Sequence, residues 1–211
     1  PALLVKSNGI TFPGVPAGFP NKGSLIRGDR FDTYVKSPAT MGSTQLRYGS
    51  GILFRHMVET LKILKAKFPK DTFSYIVTSI SPKAGGRNSV HHSHQNGLDI
   101  DIQPPLKAHP KDAYDFDDEK TYELVKALQS GGAVRMLIFS QRHFDALCAY
   151  GKQHDPDNYE KVLTKFMIDK ERNGDGIIEH DTHLHVRDKC GPDYNQCGKW
   201  VWPEKLWPKC K

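Results

Sequence analysis

Six of the ten histidines stand in two short windows. The first runs His91-His92-Ser93-His94-Gln95-Asn96-Gly97-Leu98-Asp99-Ile100-Asp101, the second His180-Asp181-Thr182-His183-Leu184-His185. Imidazole and carboxylate are zinc donors, and a catalytic zinc keeps about three protein ligands and an open position for water. The two windows supply that set and leave imidazoles over to move protons. A structural zinc site prefers four protein ligands, usually with cysteine. The pattern therefore points to a catalytic metal, expected to be zinc.

The spacing indicates how the windows position their donors. Leu98, Ile100 and Ile102 alternate with Asp99 and Asp101, the pattern of a half-buried strand. Gly97 lets the chain turn before that strand begins, so His94 on the loop and Asp101 on the strand can converge on one ion. His183 and His185 alternate in the same way and face one side of a second strand. One of the two binds metal, and the other stands beside it. His180 reaches the same cleft from the approach loop. Asp99 shares a face with Asp101 and reads either as a partner orienting a ligand imidazole or as a solvated carboxylate.

The surrounding chain has to fold around those strands. Residues 1–45, rich in Gly, Pro, Ser and Thr, read as an irregular arm packed on the domain, with a short strand near Phe31–Val35. Phe54, Met57, Val58, Leu61, Leu64 and Phe68 recur at helical spacing, which predicts a helix over Ile52–Phe68 ended by Pro69. Tyr75–Ile80 reads as a strand and Ser81–Ser93 as a loop. The acidic stretch Asp115–Glu119 leads into a second helix stopped by Gly131-Gly132. Val134–Phe139 reads as a strand, followed by helices near Gln141–Tyr150 and Asn158–Met167. His183–Arg187 is a strand. Strands and helices interspersed without a βαβ period imply one α+β domain, a small, mainly antiparallel sheet with flanking helices and long loops. Its boundaries are 46–211, with a disulfide-held C-terminal tail.

Composition removes several function classes. The net charge of +6 is spread along the chain, whereas nucleic-acid binding needs a concentrated basic patch. An anionic polymer such as a cell wall suits the mild positive field. No apolar run approaches the roughly 20 residues that cross a bilayer. The chain opens at Pro1 rather than Met, which suggests processing or a trimmed chain. Three of the four cysteines (Cys190, Cys197 and Cys210, with Cys148 upstream) fall in a tail rich in Pro, Gly and Trp. That arrangement favours cross-links and an oxidising compartment, hence an exported protein, periplasmic or extracellular. Asp169–Glu179 has the look of a calcium loop, yet no register satisfies one. With Gly176 sixth the twelfth residue is Thr182, and with Gly174 sixth it is His180. It reads as a polar turn.

At these residues the chain resembles the penicillin-insensitive murein endopeptidases. These belong to the wider group of lysostaphin-type enzymes, D-Ala-D-Ala metallopeptidases and the hedgehog signalling domain. The resemblance is carried by Ala84-Gly85-Gly86-Arg87, by Ser93–Ile102 and by His180-x-x-His183-x-His185-Val186-Arg187, with Arg47-Tyr48-Gly49 ahead of the first helix. It covers roughly residues 46 to 210, and the arm before residue 45 matches poorly. The resemblance implies that His94, Asp101 and His185 bind zinc, that His183 is the catalytic imidazole and that His180 assists it. It implies substrate-binding roles for His91 at the cleft edge and for Arg87, and Cys190–Cys197 and Cys148–Cys210 disulfides. The implied activity is hydrolysis of peptide cross-links in peptidoglycan, of the D-alanyl to diaminopimelyl type. A D,D-carboxypeptidase or dipeptidase of the same group shares the metal motif. A non-catalytic, zinc-stabilised cell-wall-binding module is the alternative outside catalysis.

Overall fold

The structure is a computed structural model that describes residues 5–7, 10–12, 14–31, 46–69, 76–87, 89, 91–169, 179–191 and 208–210. Its centre is a mixed five-stranded sheet built from β7 (Ile76–Ser79), β8 (Asp99–Gln103), β9 (Val134–Ser140), β10 (Phe166–Asp169) and β11 (Leu184–Asp188). The strand order is β10-β9-β11-β8-β7. Only the β10–β9 pair is parallel. The α+β class read from the sequence is the class observed. Among the described residues, no helix is long and apolar enough to cross a membrane.

The helices cover one face of this sheet. Helix α1 (Gly51–Lys67) starts at Ser50, whose Oγ accepts from the Leu53 N–H. Helix α2 (Asp118–Ser130) starts at Asp117, which accepts from the Lys120 N–H. Asp118 and Glu119 add negative charge at its positive end. Leu53, Phe54 and Met57 of α1 and Tyr122, Leu124 and Val125 of α2 share one core with Ile100, Ile102, Leu184 and Val186 of the sheet. Helix α3 (Gln141–His154) adds Phe144 and Leu147. Because strand side chains alternate, a core that takes Ile100 and Ile102 from one face leaves Asp99 and Asp101 on the other.

Two expectations need correction. The proposed helix over Asn158–Met167 is only one turn, α4 (Tyr159–Val162), and β10 follows it. Lys165 adopts a left-handed φ of 64°, which ends the turn. The β-prone Phe166, Met167 and Ile168 then gain a ladder beside β9. The N-terminal arm is also more regular than its composition suggested. It contains two antiparallel ribbons, β1 (Val5–Ser7) with β2 (Ile10–Phe12), and β3 (Val15–Phe19) with β4 (Lys22–Ile26). A short bridge, β5 (Asp29–Arg30) with β6 (Tyr48–Gly49), joins the arm to the start of α1. Phe31 is buried, and the rest of the strand expected at Phe31–Val35 lies outside the described residues.

Cys148 of α3 is bonded to Cys210, across 62 positions of sequence. Cys190 is disulfide-bonded too, while Cys197 lies outside the described residues. Residues 170–178, the core of the polar turn with a calcium-like composition, also lie outside them.

Candidate metal centre

Strand register brings the two histidine windows together. In the antiparallel β8–β11 pair, His185 lies opposite Asp101 and Arg187 opposite Asp99. Residues 84 positions apart thus meet side by side at the middle of the sheet, on the face away from the helices.

His94 enters from the loop before β8. Its backbone adopts a left-handed φ of 62°, a costly conformation for a residue with a side chain, and its N–H donates to Asp99 Oδ2 at 3.1 Å. Gly97 has a φ of +73°, and a Cβ there would stand 2.9 Å from the Ser50 nitrogen. Only glycine lets the loop lie this close to the start of α1, where Ser50 N–H donates to Gly97 O. The β3–β4 ribbon holds the loop from the other side. Gln95 N–H donates to Pro20 O, and Leu25 N–H donates to Ala84 O in the Gly-Gly-Arg segment. A Cβ on Gly85 would meet Gln95 O at 2.1 Å, so that segment also depends on glycine. The arm is therefore part of the wall behind His94.

Three donor atoms converge. His94 Nε2 is 3.2 Å from Asp101 Oδ1 and 3.2 Å from His185 Nδ1, and His185 Nδ1 is 2.8 Å from Asp101 Oδ1. Tetrahedral zinc ligands with bonds of about 2.0–2.1 Å stand about 3.3 Å apart, close to this spacing. All three residues are buried. His94 Nδ1 faces the Ile80 carbonyl at 2.5 Å, which places the ring proton there and leaves Nε2 with a bare lone pair. His185 Nε2 faces Asp99 Oδ1 at 3.2 Å, which leaves Nδ1 as the nitrogen a metal would take. Asp101 Oδ2 is buried without a hydrogen-bond partner. A proton on His185 bridges two of these acceptors, whereas a divalent cation answers all of them. The residues fit a metal ion.

The charges around the trio fit as well. Burial would raise the Asp99 carboxyl, but Arg187, with Nε 2.5 Å from Oδ1, holds it well below the usual carboxylate range. Asp99 is thus the partner that orients an imidazole, one of its two expected roles. Asp101 is pushed up by burial and held down more strongly by the His94 and His183 imidazoles. Burial alone would lower His185. Its hydrogen bonds to Asp101 and Asp99 instead raise it to about 9.

No protein-family model and no curated protein matches this chain.

The remaining histidines surround the trio. His183 precedes β11 with Nε2 3.6 Å from Asp101 Oδ1 and Nδ1 2.8 Å from Thr182 Oγ1. Burial lowers it to about 4, overriding the pull of Asp101, so it is neutral at physiological pH. His180 sits on the 3-10 turn Glu179–Asp181, its ring 5.0 Å from that of His183. Its Nδ1 is 2.8 Å from Asp169 Oδ2 at the end of β10. His91 packs on His94 with ring centroids 4.3 Å apart, and its ligand atom lies within 4.8 Å of those of His94 and Asp101. Burial lowers His91 to about 4. Arg87 is exposed on the adjoining loop.

Several residues that hold the site had no role assigned to them from the sequence. Asp169 supports His180, and Arg187 faces Asp99. Arg142 Nε donates to Asp181 Oδ1 at 2.9 Å, and His143 Nε2 donates to Asp181 O at 2.9 Å, so the start of α3 anchors the turn that carries His180. These contacts span 11 to 88 positions of sequence, and the fold, not local pattern, sets such pairings.

Proposed function

We propose that this protein is a zinc-dependent endopeptidase that hydrolyses peptide cross-links of bacterial peptidoglycan, joining D-alanine to diaminopimelate, outside the cytoplasm. The observation that carries the hydrolase reading is the convergence of His94 Nε2, His185 Nδ1 and Asp101 Oδ1, with further imidazoles alongside. Two histidines and one carboxylate leave an open position, the donor set of hydrolytic zinc sites. The substrate class is supported by the likeness of the two histidine windows and the Gly-Gly-Arg segment to murein endopeptidases. Export is supported by the disulfides.

His94, Asp101 and His185 would hold the ion, which when bound supplies Lewis acidity toward a water molecule and the scissile carbonyl. His183 is neutral and fixed at Nδ1 by Thr182, so its free Nε2 accepts the proton of the attacking water and returns it to the leaving amine. His180 is oriented by Asp169, whose Oδ2 lies 2.8 Å from its Nδ1. It is the donor placed to stabilise negative charge on the carbonyl oxygen. Arg87, exposed beside the cleft, is placed to engage the substrate's carboxylates.

Digestion of purified cross-linked muropeptides tests this reading. Zinc-loaded protein should convert dimers to monomers, and a chelator should abolish the conversion. Dimers that persist at full zinc loading overturn the endopeptidase reading, and free D-alanine released from monomers assigns a carboxypeptidase instead. His183→Ala should retain zinc while turnover falls at least about 100-fold. Retained turnover would move the base to His180.

A further inference from the structure

The β3–β4 ribbon has two unlike faces. Its antiparallel register sets Val15 opposite Ile26, Ala17 opposite Ser24 and Phe19 opposite Lys22, so these side chains share one face. The other face carries Pro16 and Leu25, both buried, with Leu25 against Gly97. On the first face Phe19 and Ile26 are each 43% exposed, two of the four large apolar side chains left in water among the described residues. Lys22 and Ser24 are exposed beside them.

Cations frame that face. Arg27 leaves β4 with a left-handed φ of 55°, a costly conformation for a residue with a side chain. The next residue packs on Lys83, since a Cβ on Gly28 would stand 2.9 Å from the Lys83 carbonyl oxygen. Ser24 bridges antiparallel to Gly85, which puts Arg27 and Lys83 at one end of this contact and Lys22 and Arg87 at the other. All four cations are exposed, and among the described residues no ion pair engages them. Residues 15–28 and 82–95 contain no Asp or Glu, so the sign of this face comes from missing acids rather than from dense cations. At the ribbon tip Pro20 O accepts from the N–H of Gln95, the neighbour of His94. The face therefore begins at the margin of the metal cleft.

We infer that this face, with Lys22, Arg27 and Lys83 around Phe19 and Ile26, docks the anionic polymer whose cross-links enter the cleft, pairing its cations with free carboxylates of neighbouring stem peptides. This rests on the reading of that polymer as the substrate. A soluble dimer fills the cleft alone, whereas an extended polymer also lies across the ribbon. The face thus sets affinity for the polymer and leaves bond cleavage untouched. Charge complementarity supplies the attraction, and Phe19 and Ile26 add apolar contact between the charges. Each exposed pair is weak, so several have to act together.

The test is cosedimentation of the metal-stripped full chain with purified sacculi in excess chelator, where nothing is cut, beside turnover of the zinc-loaded chain on sacculi and on soluble dimers. Lys22→Gln, Arg27→Gln and Lys83→Gln combined should weaken sacculus binding and raise the KM for sacculi about tenfold, the joint effect of three exposed pairs. Turnover of soluble dimers should stay within about twofold. Lys62→Gln, Lys65→Gln and Lys161→Gln combined remove the same charge from exposed positions on α1 and α4, and should leave sacculus binding within about twofold of wild type. Amidating the sacculus carboxylates should abolish the difference between wild type and the ribbon variant. A ribbon variant that binds as wild type does overturns the inference. So does an equal loss in the helix variant, or a difference that survives amidation. A larger loss of binding to double-stranded DNA than to sacculi assigns the face to nucleic acid and overturns it too. Sacculi that are bound while dimers stay uncut overturn the endopeptidase reading alone, a result distinct from loss of the docking face.

Discussion

His185 makes the stability of this protein fall with rising pH when metal is absent and not when metal is bound. Between Asp101 and Asp99 its imidazole holds its proton up to about pH 9, against an ordinary 6.5. A group whose pKa is raised on folding contributes stability that is complete below its unfolded pKa and is lost as pH rises through its folded one. In metal-stripped protein that contribution should fall away between pH 6.5 and 9. Each pKa unit corresponds to 1.36 kcal/mol, so this shift is worth about 3 kcal/mol. Zinc takes the place of that proton, so its binding should strengthen over the same interval, and the gap between loaded and stripped protein should widen by about 3 kcal/mol. For 211 residues the unfolding entropy is about 0.4 kcal/mol/K, which makes the widening about 7 °C in Tm. His91 and His183, both lowered to about 4, change their contributions below pH 6.5 and do not enter this window. His56, raised in the folded protein, acts equally in both samples and cancels in the difference. The assay is calorimetric melting at pH 6.5, 7.5 and 9 with excess chelator or stoichiometric zinc. Parallel Tm profiles would refute the assignment of His185 as a proton-or-metal ligand.

Three further perturbations probe the supports of the site. Asp169→Asn removes the carboxylate that holds His180 and should lower turnover of muropeptide dimers about tenfold while zinc affinity, measured by chelator competition, stays put; unchanged turnover removes His180 from the chemistry. His56 of α1 bonds through Nδ1 to both Asp188 oxygens, at 2.8 and 2.9 Å, and through Nε2 to Leu128 O at 2.8 Å, so both ring nitrogens donate and the buried imidazole is charged. Burial opposes that charge, but Asp188 prevails, and the stability this adds should be lost as pH rises through the raised pKa. His56→Phe strands the Asp188 carboxylate and should cost about 3–5 kcal/mol by urea unfolding at pH 6.5, whereas a cost below about 1 kcal/mol would mean the pair is not charged. Removing the Cys148–Cys210 bond as the double serine variant frees a loop of 62 positions and should cost about 4 kcal/mol, a drop of about 9 °C in Tm; a change under about 2 °C would show the tail held by other contacts.

The sequence by itself determined the donors and their local frame. Residue type makes His94, Asp101, His183 and His185 candidates, and the period-two alternation of Leu98, Ile100 and Ile102 against Asp99 and Asp101 shows which side chains leave the core. The amphipathic spacing that predicts α1 is likewise local, and its bounds came within a residue of those observed. What the tertiary structure decided are the relations between distant segments. The β8–β11 register sets His185 opposite Asp101 and Arg187 opposite Asp99, and a shift of one residue would have turned the imidazole into the core. Strand order made Phe166–Asp169 a parallel edge beside β9, where local propensity read helix, and so delivered Asp169 to His180. The ribbon at Val15–Ile26, opaque in a stretch rich in glycine and proline, became the wall behind His94 because its Pro20 carbonyl accepts from Gln95 N–H and its Leu25 N–H donates to Ala84 O. Composition records what each residue can donate or accept. Which partner it meets is set by chain topology, because the contact energies that select one pairing act only after segments more than eighty residues apart have packed together.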